Sequence, residues 1–292
     1  VTTIIETRSV EFDGLSIQYF QAGQDGFPIV LLHGTGESAI DWSWVMPSLG
    51  DSYRVYAPDL PGSGDSSKPA RDYSLEFYTQ FAVNFLDALG IEQAVLVGNS
   101  LGGLISLRVA LSRPERVVAL ALVDSSGLGE TVNPALSHLT VPWYGEVAIA
   151  SVKTPFGASF RARSRSLLLF ANPTKVPPIW YAEQERLTQM PGFLEAVLSS
   201  LRAQVTPFAQ RAPMLDALPQ LQMPTLVVWG ANDAILPQVQ AHAAVKRLRQ
   251  GYLVIIPNCG HVVPVERPEA LTAALQEFLA KVSYSVFSSM NI

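Results

Sequence analysis

The feature that most restricts this chain is a recurrence of short, largely apolar runs separated by stretches of helical periodicity. The runs fall at residues 29–32, 54–57, 94–97, 117–123, 225–229 and 253–256. A run that is apolar at successive positions is a strand buried on both faces, as in a parallel sheet covered by helices. Strands that alternate with helices pair in parallel through right-handed crossovers. Two earlier runs, 7–12 and 15–22, flank Asp13-Gly14, a pair suited to a two-residue hairpin. Helical spacing is clearest over 75–89, which stops at Gly90, over 101–111, and over 268–282, where Pro268 suits a first turn. The pattern predicts an α/β fold with a mostly parallel, eight-stranded sheet flanked by helices.

Composition agrees with a large buried core. Of 292 residues, 48% are hydrophobic and 15% charged, and the net charge is -5. A nucleic-acid binder of this size normally carries a basic patch, so the acidic balance argues against one. The single cysteine, Cys259, excludes an internal disulfide and a cysteine-rich zinc site. No apolar run approaches the roughly 18 residues of a bilayer span. The first ten residues lack the basic-then-apolar pattern of an export signal, which predicts a cytoplasmic location. The chain begins at Val1 rather than Met, which leaves an earlier, cleaved segment open.

Between 127 and 212 the alternation breaks. This stretch has no clear strand, is rich in Pro and aromatic residues, and looks helical from 183 to 204 with an interruption at Pro191-Gly192. It reads as a helical lid inserted between the sixth and seventh strands, since loops of this length are usually functional. The core is then 1–126 with 213–292. Arg161, Arg163 and Arg165 in the insertion alternate with small residues and read as a solvated face. Residues 282–292 form an apolar tail of unassigned role.

The strand 94–97 runs into Gly98-Asn99-Ser100-Leu101-Gly102 and then a helix. A Gly-x-Ser-x-Gly turn in that context lifts a serine out of the sheet at a helix N-terminus. Such a nucleophile needs a base and an orienting acid. Of His33, His138, His242 and His261, the last follows a strand on a loop that can reach Ser100, so it is the candidate base. His33 is expected to brace its own loop, and His242 to be a surface residue. Asp233, at the end of the strand before His261, is the favoured acid, and Asp124, ending the sixth strand, is its competitor. Backbone N–H groups of Leu101 and Thr35 are the candidate oxyanion donors. The loop His33-Gly34-Thr35-Gly36 lacks a phosphate-binding pattern.

Together with Asp59-Leu60-Pro61-Gly62-Ser63-Gly64-Asp65-Ser66 and Gly230-Ala231-Asn232-Asp233, these motifs resemble the α/β-hydrolase fold family over essentially the whole chain. The order Ser, Asp, His is that family's order. The resemblance implies a Ser100–His261–Asp233 triad, no metal or cofactor, a structural role for Asp59 to Ser66, and Glu266 with Pro268 pinning the final helix. Serine at position 100 departs from the aspartate-nucleophile branches, the haloalkane dehalogenases and epoxide hydrolases. The leading expectation is hydrolysis of a carboxylic ester bearing an apolar or aryl group, through an acyl-enzyme. Trp42, Trp44, His138, Trp143 and Trp180 are the candidate pocket walls. Alternatives are cleavage of a carbon–carbon bond in a dienoate ring-cleavage product, perhydrolase or haloperoxidase chemistry, and a hydrolase-like receptor for a small ligand. Glu37, after Gly36, departs from the Gly-Pro-Gly run of the carbon–carbon hydrolases and lowers the weight of that reading. Monomer and homodimer remain open.

Overall fold

A computed structural model describes residues 3–211 and 213–287. Eight strands form one sheet: β1 (Ile5–Phe12), β2 (Leu15–Ala22), β3 (Pro28–Leu32), β4 (Arg54–Pro58), β5 (Ala94–Asn99), β6 (Val117–Val123), β7 (Thr225–Gly230) and β8 (Gly251–Ile256). Their spatial order is β1-β2-β4-β3-β5-β6-β7-β8. β2 pairs antiparallel with β1 and β4, and every pairing from β4 through β8 is parallel. The hairpin turns at Asp13 and Gly14, both at positive φ, as a two-residue turn requires.

The apolar runs are accounted for by two-sided burial. Ile29, Leu31, Val95, Val97, Ala119, Ala121, Leu226 and Val228 pack into one core, while Val30, Leu32, Leu96, Leu120, Leu122, Val227 and Trp229 pack into the other. Successive side chains therefore leave opposite faces, and neither face meets water. The helix Pro268–Phe287 packs Leu271, Leu275, Phe278 and Leu279 on the first of these cores, that of Ile29 and Leu31. It extends past the predicted stop at 282; the remainder of the tail, 288–292, lies outside the described residues.

β4 lies on one side of β3 and β5 on the other. The loops leaving β3 and β5 thus diverge and open a crevice at the carboxyl edge, the place where open α/β sheets bind ligands. Between β6 and β7 run helices Pro134–Ser137, Tyr144–Ser151, Pro155–Leu169, Pro178–Gln189 and Phe193–Gln204. These inserted helices, for brevity the cap, bond to the loops at this edge as described below. Among the described residues, no helix is long and apolar enough to cross a membrane.

Candidate active site

Ser100 is the single residue between β5 and the helix Leu101–Ser112. Its backbone is held at φ 54°, ψ −114°, a conformation that side chains rarely adopt. Three bonds over-determine it: Ser100 N–H donates to Val123 O at 3.0 Å, and Ser100 O accepts from Leu104 at 3.1 Å and Ser126 at 3.1 Å. A Cβ at position 102 would overlap the Leu32 carbonyl, which is why glycine stands there.

The loop after β3 is braced from beneath by His33. Its Nδ1–H donates to Gly34 O at 2.9 Å, and its Nε2 accepts from Leu60 N–H at 2.9 Å. Burial holds this imidazole neutral, with its pKa pushed down to about 4. Asp59 anchors the neighbouring loop by accepting from Ala39 N–H at 2.7 Å and Asp65 N–H at 2.9 Å, and burial raises its pKa to about 6. The expected structural roles of His33 and of the loop from Asp59 to Ser66 match this geometry. Thr35 lines the crevice beside Ser100, and Leu101 opens the following helix. Neither backbone N–H is committed to a backbone acceptor.

His261 Nδ1–H donates to Asp233 Oδ2 at 2.8 Å. The Asp233 carboxylate is fully buried, and its Oδ1 accepts from the N–H groups of Ile235 at 2.7 Å and Leu236 at 3.0 Å. Asn99, present in the motif but given no role of its own by the sequence, ties the two loops: its Nδ2 donates to His261 O at 3.0 Å and Val123 O at 3.1 Å. Asp124 loses the competition for the imidazole. Its Oδ1 accepts from Gly230 N–H at 2.8 Å and its buried Oδ2 has no partner. Burial and the neighbouring Asp233 raise its pKa well above the ordinary carboxylate range. Asp124, Asp233 and His261 form the one cluster among the described residues whose donor atoms lie close enough to suit a metal, within 4.8 Å. The Nδ1–Oδ2 separation is that of a hydrogen bond, which occupies the Nδ1 proton and leaves no lone pair there.

Ser100 and His261 line one cavity of about 50 Å³. Its apolar walls are Val132, Leu136, Leu168, Leu201, Ile235 and Leu236; Thr35, Glu37, Arg165 and Gln204 make a polar side. The five expected pocket walls are elsewhere. Trp42 is fully buried in the core behind the sheet, and Trp44 packs partly buried on the other core. Trp180 is buried inside the cap, edge-on to Phe170 at 5.0 Å. His138 and Trp143 face solvent. Large rings mark bulk, and bulk is recruited first by cores; the site instead takes aliphatic side chains that no motif distinguishes.

The solvated reading of the arginines is also corrected. Arg163 is exposed, but Arg161 and Arg165 turn inward onto the β3 loop. Arg165 pairs with the buried Glu37 and donates to Thr35 O at 3.3 Å. Gln184 Nε2 donates to Glu37 Oε2 at 2.7 Å, and Gln204 Nε2 to Thr35 Oγ1 at 2.8 Å. Cap residues therefore hold the loop that carries Thr35. The histidine loop hangs on the same cap helix: His261 N–H donates to Leu169 O at 2.7 Å. The Glu266 carboxylate bonds to loops and not to the last helix: it accepts from Gly260 N–H at 2.6 Å and from the cap residues Ala171 and Asn172 at 3.1 and 2.8 Å.

The sequence model of the α/β-hydrolase fold matches residues 28–268. This chain belongs to the α/β-hydrolase family. It is 32% identical over 272 residues to 2-hydroxymuconate semialdehyde hydrolase of Pseudomonas sp. strain CF600, covering 90% of each chain. It is 32% identical over 275 residues to the dihydrolipoyllysine-residue acetyltransferase component of the acetoin cleaving system of Pseudomonas putida, covering 94% of this chain and 69% of the relative. Among solved structures it is similar to a membrane phospholipase A described as a bacterial virulence factor, with TM-score 0.78 and 30% identity over 95% of this chain and 86% of the other. The hydrolase class of this chain rests on the family match.

Proposed function

We propose that this hydrolase cleaves a small carboxylic ester through a covalent acyl-serine. The observation that carries the reading is the chain of groups at the switch point of the sheet: a strained Ser100 and His261 sharing one cavity, and Asp233 bonded at 2.8 Å to the far side of the imidazole. In this reading residues 127–212 are the cap, and 1–126 with 213–292 the catalytic core. His261 takes the proton of Ser100 as Oγ attacks the carbonyl carbon. Asp233 holds the Nδ1–H tautomer and stabilises the imidazolium. Thr35 and Leu101 N–H groups receive the tetrahedral oxyanion, each contributing about 3–4 kcal/mol. His261 then protonates the leaving alcohol, and water releases the acid by the same steps.

The aliphatic walls favour an alkyl acyl or alcohol group over the aryl group suggested by the aromatic residues of the chain. A cavity of about 50 Å³ lies far below the roughly 300 Å³ at which pockets hold larger ligands, so bulkier esters require side chains of the cap to move. Two observations support a second reading, cleavage of a carbon–carbon bond. The relative named 2-hydroxymuconate semialdehyde hydrolase matches 90% of each chain, and the Glu37–Arg165 side of the cavity gives a polar substrate end a place to bind. Steady-state assays on p-nitrophenyl esters of graded acyl length, beside a dienoate ring-cleavage product, separate the two. Ser100→Ala is expected to lower kcat on the preferred substrate by about 10⁵–10⁶. Retained turnover in a preparation free of contaminating esterase would refute both.

A further inference from the structure

We propose that the outer face of the cap, built on helices Tyr144–Ser151 and Pro155–Leu169, docks on an anionic lipid surface. The helix Pro155–Leu169 is inside-out. Its arginines Arg161 and Arg165 are turned onto the β3 loop, whereas Phe156, Phe160 and Leu167 are 84%, 62% and 73% exposed. The spacing of 156, 160, 163 and 167 puts these three apolar side chains and Arg163 along one helix face. The preceding helix adds Trp143, 83% exposed at φ 68°, and Val147, 67% exposed. Eight of the eleven large apolar side chains exposed among the described residues lie between 143 and 208. A monomer bathed only in water has no reason to concentrate them on its shorter part.

Charge selects the occupant. Residues 127–212 carry eight Lys or Arg against five Glu, a net of +3, whereas the rest of the chain carries twelve against twenty, a net of −8. Among the described residues, Arg163, Lys175 and Arg211 make no ion pair. Exposed aromatic side chains with a cation, here Arg163, on the same face are what an interfacial helix offers to anionic headgroups. A second copy docking cap to cap would bring like charges together, because a two-fold interface joins the same patch to itself. The docked helix is also the one that holds the Thr35 and His261 loops, so docking sets the crevice beside the lipid.

The test is sedimentation of the purified full chain with phosphatidylcholine vesicles, with and without phosphatidylglycerol. Binding is expected to the anionic vesicles and to weaken as salt rises. Phe156→Ser/Phe160→Ser/Leu167→Ser is expected to reduce that partitioning more than about tenfold. Arg163→Gln is expected to reduce it about fivefold on anionic vesicles only. All four positions face solvent, so the melting temperature is expected to stay at the wild-type value, which excludes misfolding as the cause. The binding readout needs no turnover, and Ser100→Ala is expected to bind as wild type does, so this proposal and the ester reading fail separately. Wild-type protein that ignores anionic vesicles, or a triple variant that binds them equally, overturns the proposal. So does a concentration-dependent dimer that the triple variant dissolves, which would make a second copy the occupant.

Discussion

The sheet edge and the cap build the same crevice by different means. At the sheet edge, Ser100 is held by main-chain hydrogen bonds and by packing that leaves no room for a Cβ at position 102, and the Asp233 carboxylate is held by main-chain N–H groups. In the cap, the crevice is held largely by side chains: Arg165 on Glu37, Gln184 on Glu37, and Gln204 on Thr35. Main-chain geometry is shared by every residue type and tolerates no drift; side-chain contacts are specific but easily changed. The comparison teaches that, in the proposed reaction, the rigid edge would carry the chemistry while the cap tunes and covers it.

The comparison is sharpened first at the edge itself. Asp233→Asn leaves an amide where the imidazole tautomer is set, and kcat is expected to fall about 10⁴-fold with substrate binding retained. A loss below tenfold would place the orienting acid elsewhere.

The cap side is tested by Arg165→Met. It leaves the Glu37 carboxylate buried and unpaired, and unfolding free energy is expected to drop about 3 kcal/mol, the low end for a broken buried pair because Arg165 keeps 17% exposure. Drift of the Thr35 loop is expected to lower kcat by up to about a hundredfold with a smaller change in KM. Adding Glu37→Gln is expected to restore most of the stability. A single variant with wild-type melting and kcat would show that the cap does not hold the oxyanion loop.

Beneath the loop, His33 gives a pH-dependent effect. Its folded pKa, about 4, is depressed from the ordinary 6.5, so the unfolded chain binds the extra proton between those values. The stability contributed by neutral His33 is thus fully present above pH 6.5 and is lost as pH falls through 4. Urea unfolding at pH 7 and pH 4.5 is expected to show the gap between wild type and His33→Gln narrowing by about 2–3 kcal/mol. Asp59 titrates in the same region with the opposite sign, but it is common to both proteins and cancels.

The smallest effect is expected at Asp124, the mirror of Asp233 one strand away. It bonds to Gly230 N–H rather than to the imidazole, so Asp124→Asn should leave kcat within about threefold, under 1 kcal/mol. A carboxyl with a raised folded pKa loses its stabilising contribution as pH rises through that value. The asparagine variant is therefore expected to lose less stability on the alkaline side. A drop in kcat like that of Asp233→Asn would erase the distinction between the two carboxylates.

Legibility followed the same division. The central strands β3 to β7 were readable from apolar runs, because two-sided burial repeats at successive positions and leaves an unbroken local signal, whereas β1 and β2, partly exposed, were readable from the hairpin pair Asp13-Gly14 between them. Ser100, His261 and Asp233 were readable because turn chemistry restricts the residues around them. Asn99, Glu37, Arg165 and Gln204 were not, since each works through a partner between 24 and 169 positions away. Glu266 was noticed by resemblance, yet its bonds to Ala171 and Asn172 were hidden for the same reason.

The sequence alone determined the sheet, the order Ser, Asp, His, and the place of a helical insertion between β6 and β7. Those features rest on periodicity and on local backbone demands. Only the tertiary structure decided which carboxylate meets His261, that the crevice is aliphatic rather than aromatic, and that the cap's arginines point in while its phenylalanines point out. A helical period says which residues share a face; what that face meets depends on the neighbouring elements, and those come from distant parts of the chain.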